Sequence, residues 1–209
     1  MVFKKIFEED FEVDATSVEF DSKYGADWSG PFEGVKFNKE NFYVLNSVAH
    51  LLFNDKSGQW KGSGIGHIPA QIYGKWAVRA RAVETGGRVV ALLWPTYGWP
   101  PEIDFMESGD SYRDHTTQTL HYDVLSTPAH ENKMVHNSYD VDMTKWHTYG
   151  VEWTPGKLVY KLDGVEKGSV VGDFVPNQPM HIHLQCAVGS NTHKPCELEV
   201  DWVRVFSYA

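Results

Sequence analysis

Apolar and polar residues alternate in short runs along this chain, and almost nowhere do they repeat at the 3.6-residue spacing of a helix. The runs fall at residues 48–53, 74–83, 88–94, 102–107, 117–122, 147–154, 157–162, 180–188 and 197–206. In the second of them Arg79 and Arg81 share one strand face, while Val78, Ala80 and Ala82 share the other. The arginines read most simply as solvated outer-face charges. Turn-forming residues separate the runs: Thr85-Gly86-Gly87, Thr154-Pro155-Gly156 and Asp163-Gly164. The last of these predicts a hairpin with a type I′ turn joining residues 157–162 to 165–168. Evenly spaced short strands with such turns predict an all-β sandwich or barrel. Residues 123–142 are polar and are expected to form a long loop at the edge of a cleft. With no repeat, low-complexity tract or linker, residues 1–209 are expected to form one domain.

One run departs from the alternation of an ordinary solvated strand. In Glu102-Ile103-Asp104-Phe105-Met106-Glu107, Glu102 and Asp104 project from one face and Ile103 from the other. Acidic residues are poor strand formers, and like charges side by side are unfavourable. Glu107 follows Glu102 by five positions, so strict alternation would turn it toward the core. A β-bulge at Phe105 or Met106 would return it to the acidic face. Three convergent carboxylates suit glycosidic bond cleavage, in which one acts as nucleophile and another as acid/base. An exposed acidic strand is the plainer alternative. Against it stand Trp94, Tyr97 and Trp99 immediately upstream, since flat aromatic faces stack on pyranose rings.

Composition narrows the partners. A formal net charge of −9 disfavours nucleic acid and anionic membranes, and leaves a neutral polymer open. The 14% aromatic content, with eight Trp and ten Tyr, is enough both to fill a core and to line a cleft. No segment is long and apolar enough to span a membrane as a helix. The N-terminus lacks the apolar stretch of a signal peptide, so an extracellular, cell-surface or virion-associated location is expected to rest on a removed signal or another route of release. Cys186 and Cys196, ten positions apart, suit either one local disulfide or two buried thiols. His181 and His183 would share a strand face as some zinc ligands do, but no third ligand of matching spacing accompanies them, and no metal site is expected there.

The acidic run resembles the Glu-x-Asp-x-x-Glu motif of glycoside hydrolase family 16, the laminarinase, lichenase and agarase clan. The resemblance extends to Tyr73-Gly74-Lys75-Trp76-Ala77-Val78-Arg79-Ala80, to the run from Trp146 to Gly156 with the hairpin after it, and to Asp201-Trp202-Val203-Arg204-Val205. These segments occur in family order over residues 73–205. The resemblance implies a concanavalin A-like β-jelly-roll of two antiparallel sheets with a concave substrate cleft. It implies retention of configuration, with Glu102 as nucleophile, Asp104 as electrostatic assistant and Glu107 as acid/base. It places His121 near Asp104 or the sugar, and Gln185 where the family usually has Asn, either bonding sugar hydroxyls or supporting the sheet. Trp94, Tyr97 and Trp99 are expected to contact substrate. No cofactor is required. Asp201 and Glu8-Glu9-Asp10 fall where relatives hold a structural calcium ion. The Pro100-Pro101 pair replaces a common Gly-Gly, which leaves the substrate open.

The expected function is therefore endo-hydrolysis of a β-linked polysaccharide by a monomer, β-1,3- or mixed β-1,3-1,4-glucan first. A galactan-active hydrolase, a transglycosylase, a non-catalytic carbohydrate-binding jelly roll and a virion receptor-binding protein are the alternatives. The loops at residues 26–34, 97–101 and 125–141 are expected to choose the sugar.

Overall fold

The computed structural model describes residues 2–12, 15–16, 31–32, 35–56, 58–66, 70–83, 86–109, 112–123, 132–189 and 193–208. Its strands, in chain order, are β1 (Phe3–Glu9), β2 (Ala15–Thr16), β3 (Pro31–Phe32), β4 (Val35–Phe37), β5 (Phe42–Leu45), β6 (Val48–Phe53), β7 (Lys61–Gly66), β8 (Gly74–Ala82) and β9 (Arg88–Pro95). They continue with β10 (Glu102–Ser108), β11 (His115–Asp123), β12 (Asn132–Asp140), β13 (His147–Thr154), β14 (Lys157–Leu162), β15 (Val165–Val171), β16 (Met180–Ala187) and β17 (Cys196–Tyr208). Among the described residues, helix is limited to a single 3-10 turn at Lys39–Asn41, and no helix is long and apolar enough to cross a membrane.

Two sheets result, as a jelly-roll sandwich requires. One runs β15-β14-β13-β8-β17-β6-β5-β2, with β1 pairing the far half of β17. The other, which carries the acidic strand, runs β12-β11-β10-β9-β16-β7-β4-β3. Pairing is antiparallel except between β4 and β7. The predicted hairpin is present between β14 and β15, with Asp163 at φ 50° and Gly164 at φ 80°, as a type I′ turn needs.

Each sheet turns its apolar face inward. Trp76, Tyr149, Trp153 and Tyr160 from the first sheet meet Leu93, Ile103, Phe105 and Met106 from the second, all at most 1% exposed. Fully burying a side chain of Leu or Phe size stabilises by roughly 1.5–3 kcal/mol, so this layer holds the sandwich together. Trp153 also donates its indole N–H to the Pro176 carbonyl at 2.9 Å, so its one polar group is not stranded in the core. Cys186 on β16 and Cys196 on β17 face each other between the sheets with Sγ atoms 2.7 Å apart, both as free thiols.

The expected loop at residues 123–142 is largely a strand. β12 pairs with β11 along its whole length, from His115↔Asp140 to Asp123↔Asn132. As the edge of its sheet it buries its face only partly, so its composition stays polar and mimics a loop. Part of the expected substrate-selecting loops, residues 26–30, 33–34 and 125–131, lies outside the described residues.

Candidate active site

β10 lies between β9 and β11 and is bonded along both edges, so its side chains are held by a rigid sheet. Its pairing slips between Asp104 and Met106 against β9, and between Asp104 and Glu107 against β11. Phe105 and Met106 both enter the core at 0% exposure. Two successive inward residues make the bulge that the spacing demands, and Glu107 returns to the face of Glu102 and Asp104. The distorted backbone is tied down by β11. Glu107 N–H donates to Thr116 Oγ1 at 3.0 Å, and the Thr116 and Thr117 hydroxyls donate to the Glu107 carbonyl at 3.0 and 3.2 Å.

The three acids line a cavity of about 530 Å³ together with Arg88, Trp94, Trp99, Thr119, His121, Met134 and His136. Glu102 Oε2 accepts two indole N–H bonds, from Trp94 and from Trp99, each 2.7 Å long. Trp94 is held in turn by stacking on His183, with ring centroids 4.5 Å apart. His183 is fully buried, and burial pushes its imidazole pKa down to about 3, so the supporting ring is neutral. Gly64 makes room for it: a Cβ there would lie 2.8 Å from the His183 ring.

Asp104 is 2% exposed. Burial, then the charges of Glu102 and Glu107, push its pKa well above the usual carboxylate range, and it hydrogen-bonds Glu102. The shift favours the protonated form, which can donate to the Glu102 carboxylate. His121 Nε2 lies 3.3 Å from Asp104 Oδ2, as its register position opposite Glu102 allows. Glu107 also has a raised pKa, chiefly through burial, with Arg88 pulling it back down and Glu102 raising it further. Arg88 Nε lies 3.5 Å from Glu107 Oε1. The arrangement is a carboxylate held by fixed donors beside a carboxyl whose proton burial helps to hold, the division of labour that acid/base and nucleophilic chemistry need.

The remaining expected residues fall elsewhere. Tyr97 is 66% exposed and is not among the residues lining the cavity. Gln185 is 2% exposed on β16 and is not among the residues lining the cavity. His181 and His183 belong to no group of three potential metal ligands among the described residues. Of the acids expected near calcium, Asp201 pairs with Arg79, while Glu8 and Asp10 pair with Arg204. Glu9 accepts a bond from the Phe11 N–H. Each carboxylate thus has a partner, and none of these acids belongs to a group of three potential metal ligands among the described residues. Arg79 and Arg81 stand on the outer face, both over Trp146.

Arg88, Met134 and His136 are cleft residues that sequence reading passed over. A lone Arg opening a strand carries no signal of its own. Met134 and His136 were hidden in the polar stretch that proved to be β12. Recognising the two-residue alternation of Met134, His136 and Ser138 there would have found them.

Fold and site together define a class: jelly-roll proteins that carry a bulged strand of three acids on the open face of one sheet. The chain belongs to glycosyl hydrolases family 16, whose family model matches residues 32–204. It is 27% identical over 155 residues to the endo-1,3-1,4-β-glycanase ExsH of Rhizobium meliloti, covering 66% of this chain and 31% of that protein. It is 28% identical over 149 residues to a β-glucanase of Paenibacillus polymyxa, covering 65% of this chain and 60% of that protein. The chain thus spans less than two thirds of the length of these relatives. Among solved structures, the laminarinase from Rhodothermus marinus superposes with a TM-score of 0.80 at 21% identity, covering 100% of this chain and 98% of the other. The kappa-carrageenase from Pseudoalteromonas carrageenovora gives 0.78 at 16% identity, covering 98% and 95%. These likenesses establish the shared jelly-roll fold.

Proposed function

We propose that the protein is a retaining endo-hydrolase of a β-linked glucan, with β-1,3- or mixed β-1,3-1,4-linkages, acting through a glycosyl-enzyme intermediate. The observation that carries this reading is the bulge that sets Glu102, Asp104 and Glu107 on one face of a cleft. The glucan is favoured by the names of the relatives, an endo-1,3-1,4-β-glycanase and a β-glucanase.

The geometry supports the following steps. With Glu102 Oε2 occupied by two indole donors, Oε1 is the oxygen left to attack the anomeric carbon. Glu107, whose pKa burial raises, donates to the departing glycosidic oxygen and then takes a proton from the incoming water. Asp104, whose raised pKa favours its protonated form, hydrogen-bonds Glu102 and eases its departure when the intermediate is hydrolysed. Protein carboxylates and water complete the cycle without a cofactor. A polymeric substrate places this reaction outside the cell or at its surface.

Two measurements test the reading together. Laminarin, mixed-linkage β-glucan, agarose and carrageenan are digested in parallel, with products sized and the first-formed anomer read by NMR. Internal cleavage of a glucan with β-anomer products is expected. Glu102→Gln should lower kcat/KM at least about 10³-fold while the fold and oligosaccharide binding persist. Undiminished hydrolysis by that variant would remove the assignment, and cleavage confined to a galactan would remove the substrate.

A further inference from the structure

On the sheet opposite the cleft, three potential metal ligands converge that the reaction does not use. His50 on β6 is the register partner of Glu199 on β17, and Glu197 lies two residues before Glu199 on the same face. Each lies on a strand paired on both sides, so none sits on a loop. Their side chains are 14%, 11% and 19% exposed, low for three groups of this polarity on an outer face. His50 Nδ1 is 2.6 Å from Glu197 Oε1 and 4.0 Å from Glu199 Oε1. All three ligand atoms lie within 4.8 Å of one another.

We propose that His50, Glu197 and Glu199 form a zinc-binding site on the outer face of the β5-β6-β17 region. One imidazole N–H can satisfy only one of two carboxylate oxygens at a time, whereas a divalent cation satisfies both and the imidazole together. Zn–N and Zn–O bonds of about 2.0–2.1 Å give ligand-to-ligand edges of roughly 3.3–3.4 Å in a tetrahedron. The two observed distances bracket that value and the carboxylate-to-carboxylate edge is within 4.8 Å, so modest side-chain adjustments close the site around an ion. Water takes the fourth position.

The surroundings already resemble the outer shell of such a site. Arg81 Nε donates to Glu199 Oε2 at 2.5 Å, which orients Oε1 toward His50. The Tyr43 ring stacks on the imidazole with centroids 4.6 Å apart and planes 9° apart, which fixes the ring. Ligating carboxylates and imidazoles are held in just this manner in metalloproteins. The mixed nitrogen and oxygen donors select zinc over calcium, which takes six to eight oxygen ligands. The other cluster of this kind among the described residues, Glu102, Asp104 and His121, belongs to the catalytic cleft.

The test titrates the metal-free whole protein with ZnCl2 and, in parallel, CaCl2, by calorimetry and by metal analysis after desalting. One zinc per chain and no calcium at this site are expected, with a zinc-dependent rise in Tm. His50→Ala and the isosteric Glu197→Gln should each weaken zinc binding at least about 30-fold while glucan hydrolysis, measured without added metal, stays at the parent level. His121→Ala should leave the stoichiometry at one. Absence of zinc binding by the parent protein at millimolar metal overturns the proposal. So does zinc binding that survives His50→Ala and Glu197→Gln, or that is lost with His121→Ala. Because hydrolysis is not needed for the metal readout, failure of the proposed enzymatic function would leave this result interpretable.

Discussion

Glu107 stands between opposing influences: burial raises its pKa, and the Arg88 guanidinium 3.5 Å away lowers it. An acid/base must hold its proton for the first step and release it for the second, so the balance sets the alkaline limb of the pH profile. Arg88→Met removes the lowering charge. The alkaline limb of kcat/KM is therefore expected to move to higher pH, as initial rates across a pH series will show; a limb that moves down would assign it to another group. Glu102 offers a second test at this scale. Trp99→Phe keeps an aromatic face but deletes the N–H that reaches Glu102 Oε2. A hydrogen bond to a charged group is worth about 1.5–3 kcal/mol, so kcat should fall roughly 10- to 100-fold. A change in KM alone would make Trp99 a sugar platform and not a positioning residue.

The acidic strand was legible because parity exposes it. Glu102 and Glu107 cannot share a face of a regular strand, so the spacing itself demands the extra inward residue found at Phe105 and Met106. What pins the bulge was not legible, since the Thr116 and Thr117 hydroxyls reach Glu107 across strands. β12 was missed for a different reason: an edge strand buries little, so its residues stay polar and carry no hydrophobic signature. β7 was missed because Gly62 and Gly64 give it no apolar face, their missing side chains making way for Phe37, Cys186 and His183. Of the indole donors to Glu102, Trp94 reaches across from β9, while Trp99 depends on how the segment between β9 and β10 folds back, which composition alone does not encode. Thr116→Val tests the element. It keeps the shape of a fully buried side chain and strands the Glu107 N–H. A loss of about 1–3 kcal/mol in denaturant unfolding is expected, together with lower kcat, because the bulge also aims the carboxyl. Full stability with full activity would show that the bulge is held by its own core residues.

Across the whole molecule, the cleft acids and the histidine beneath them pull stability in opposite directions with pH. Unfolded, Asp104 loses its proton near its ordinary value of 3.8; folded, it does so only well above it. Between those two values the folded chain binds more protons than the unfolded one, so the stability from this group is fully present below 3.8 and is lost as pH rises through the folded pKa. Glu107, with its raised pKa, has the same sign. His183 has the other: its pKa falls from 6.5 to about 3 on folding, so its contribution is present above 6.5 and lost as pH drops toward 3. The two slopes oppose each other between these limits and favour a stability maximum in mild acid. Asp104→Asn removes the first slope while keeping a side chain that can still donate to Glu102. Thermal melts at successive pH values from 4 to 8 should find the variant more stable than the parent at the alkaline end, with the difference shrinking as pH falls toward 4. A difference that does not change with pH would mean that Asp104 is ionised in the folded protein.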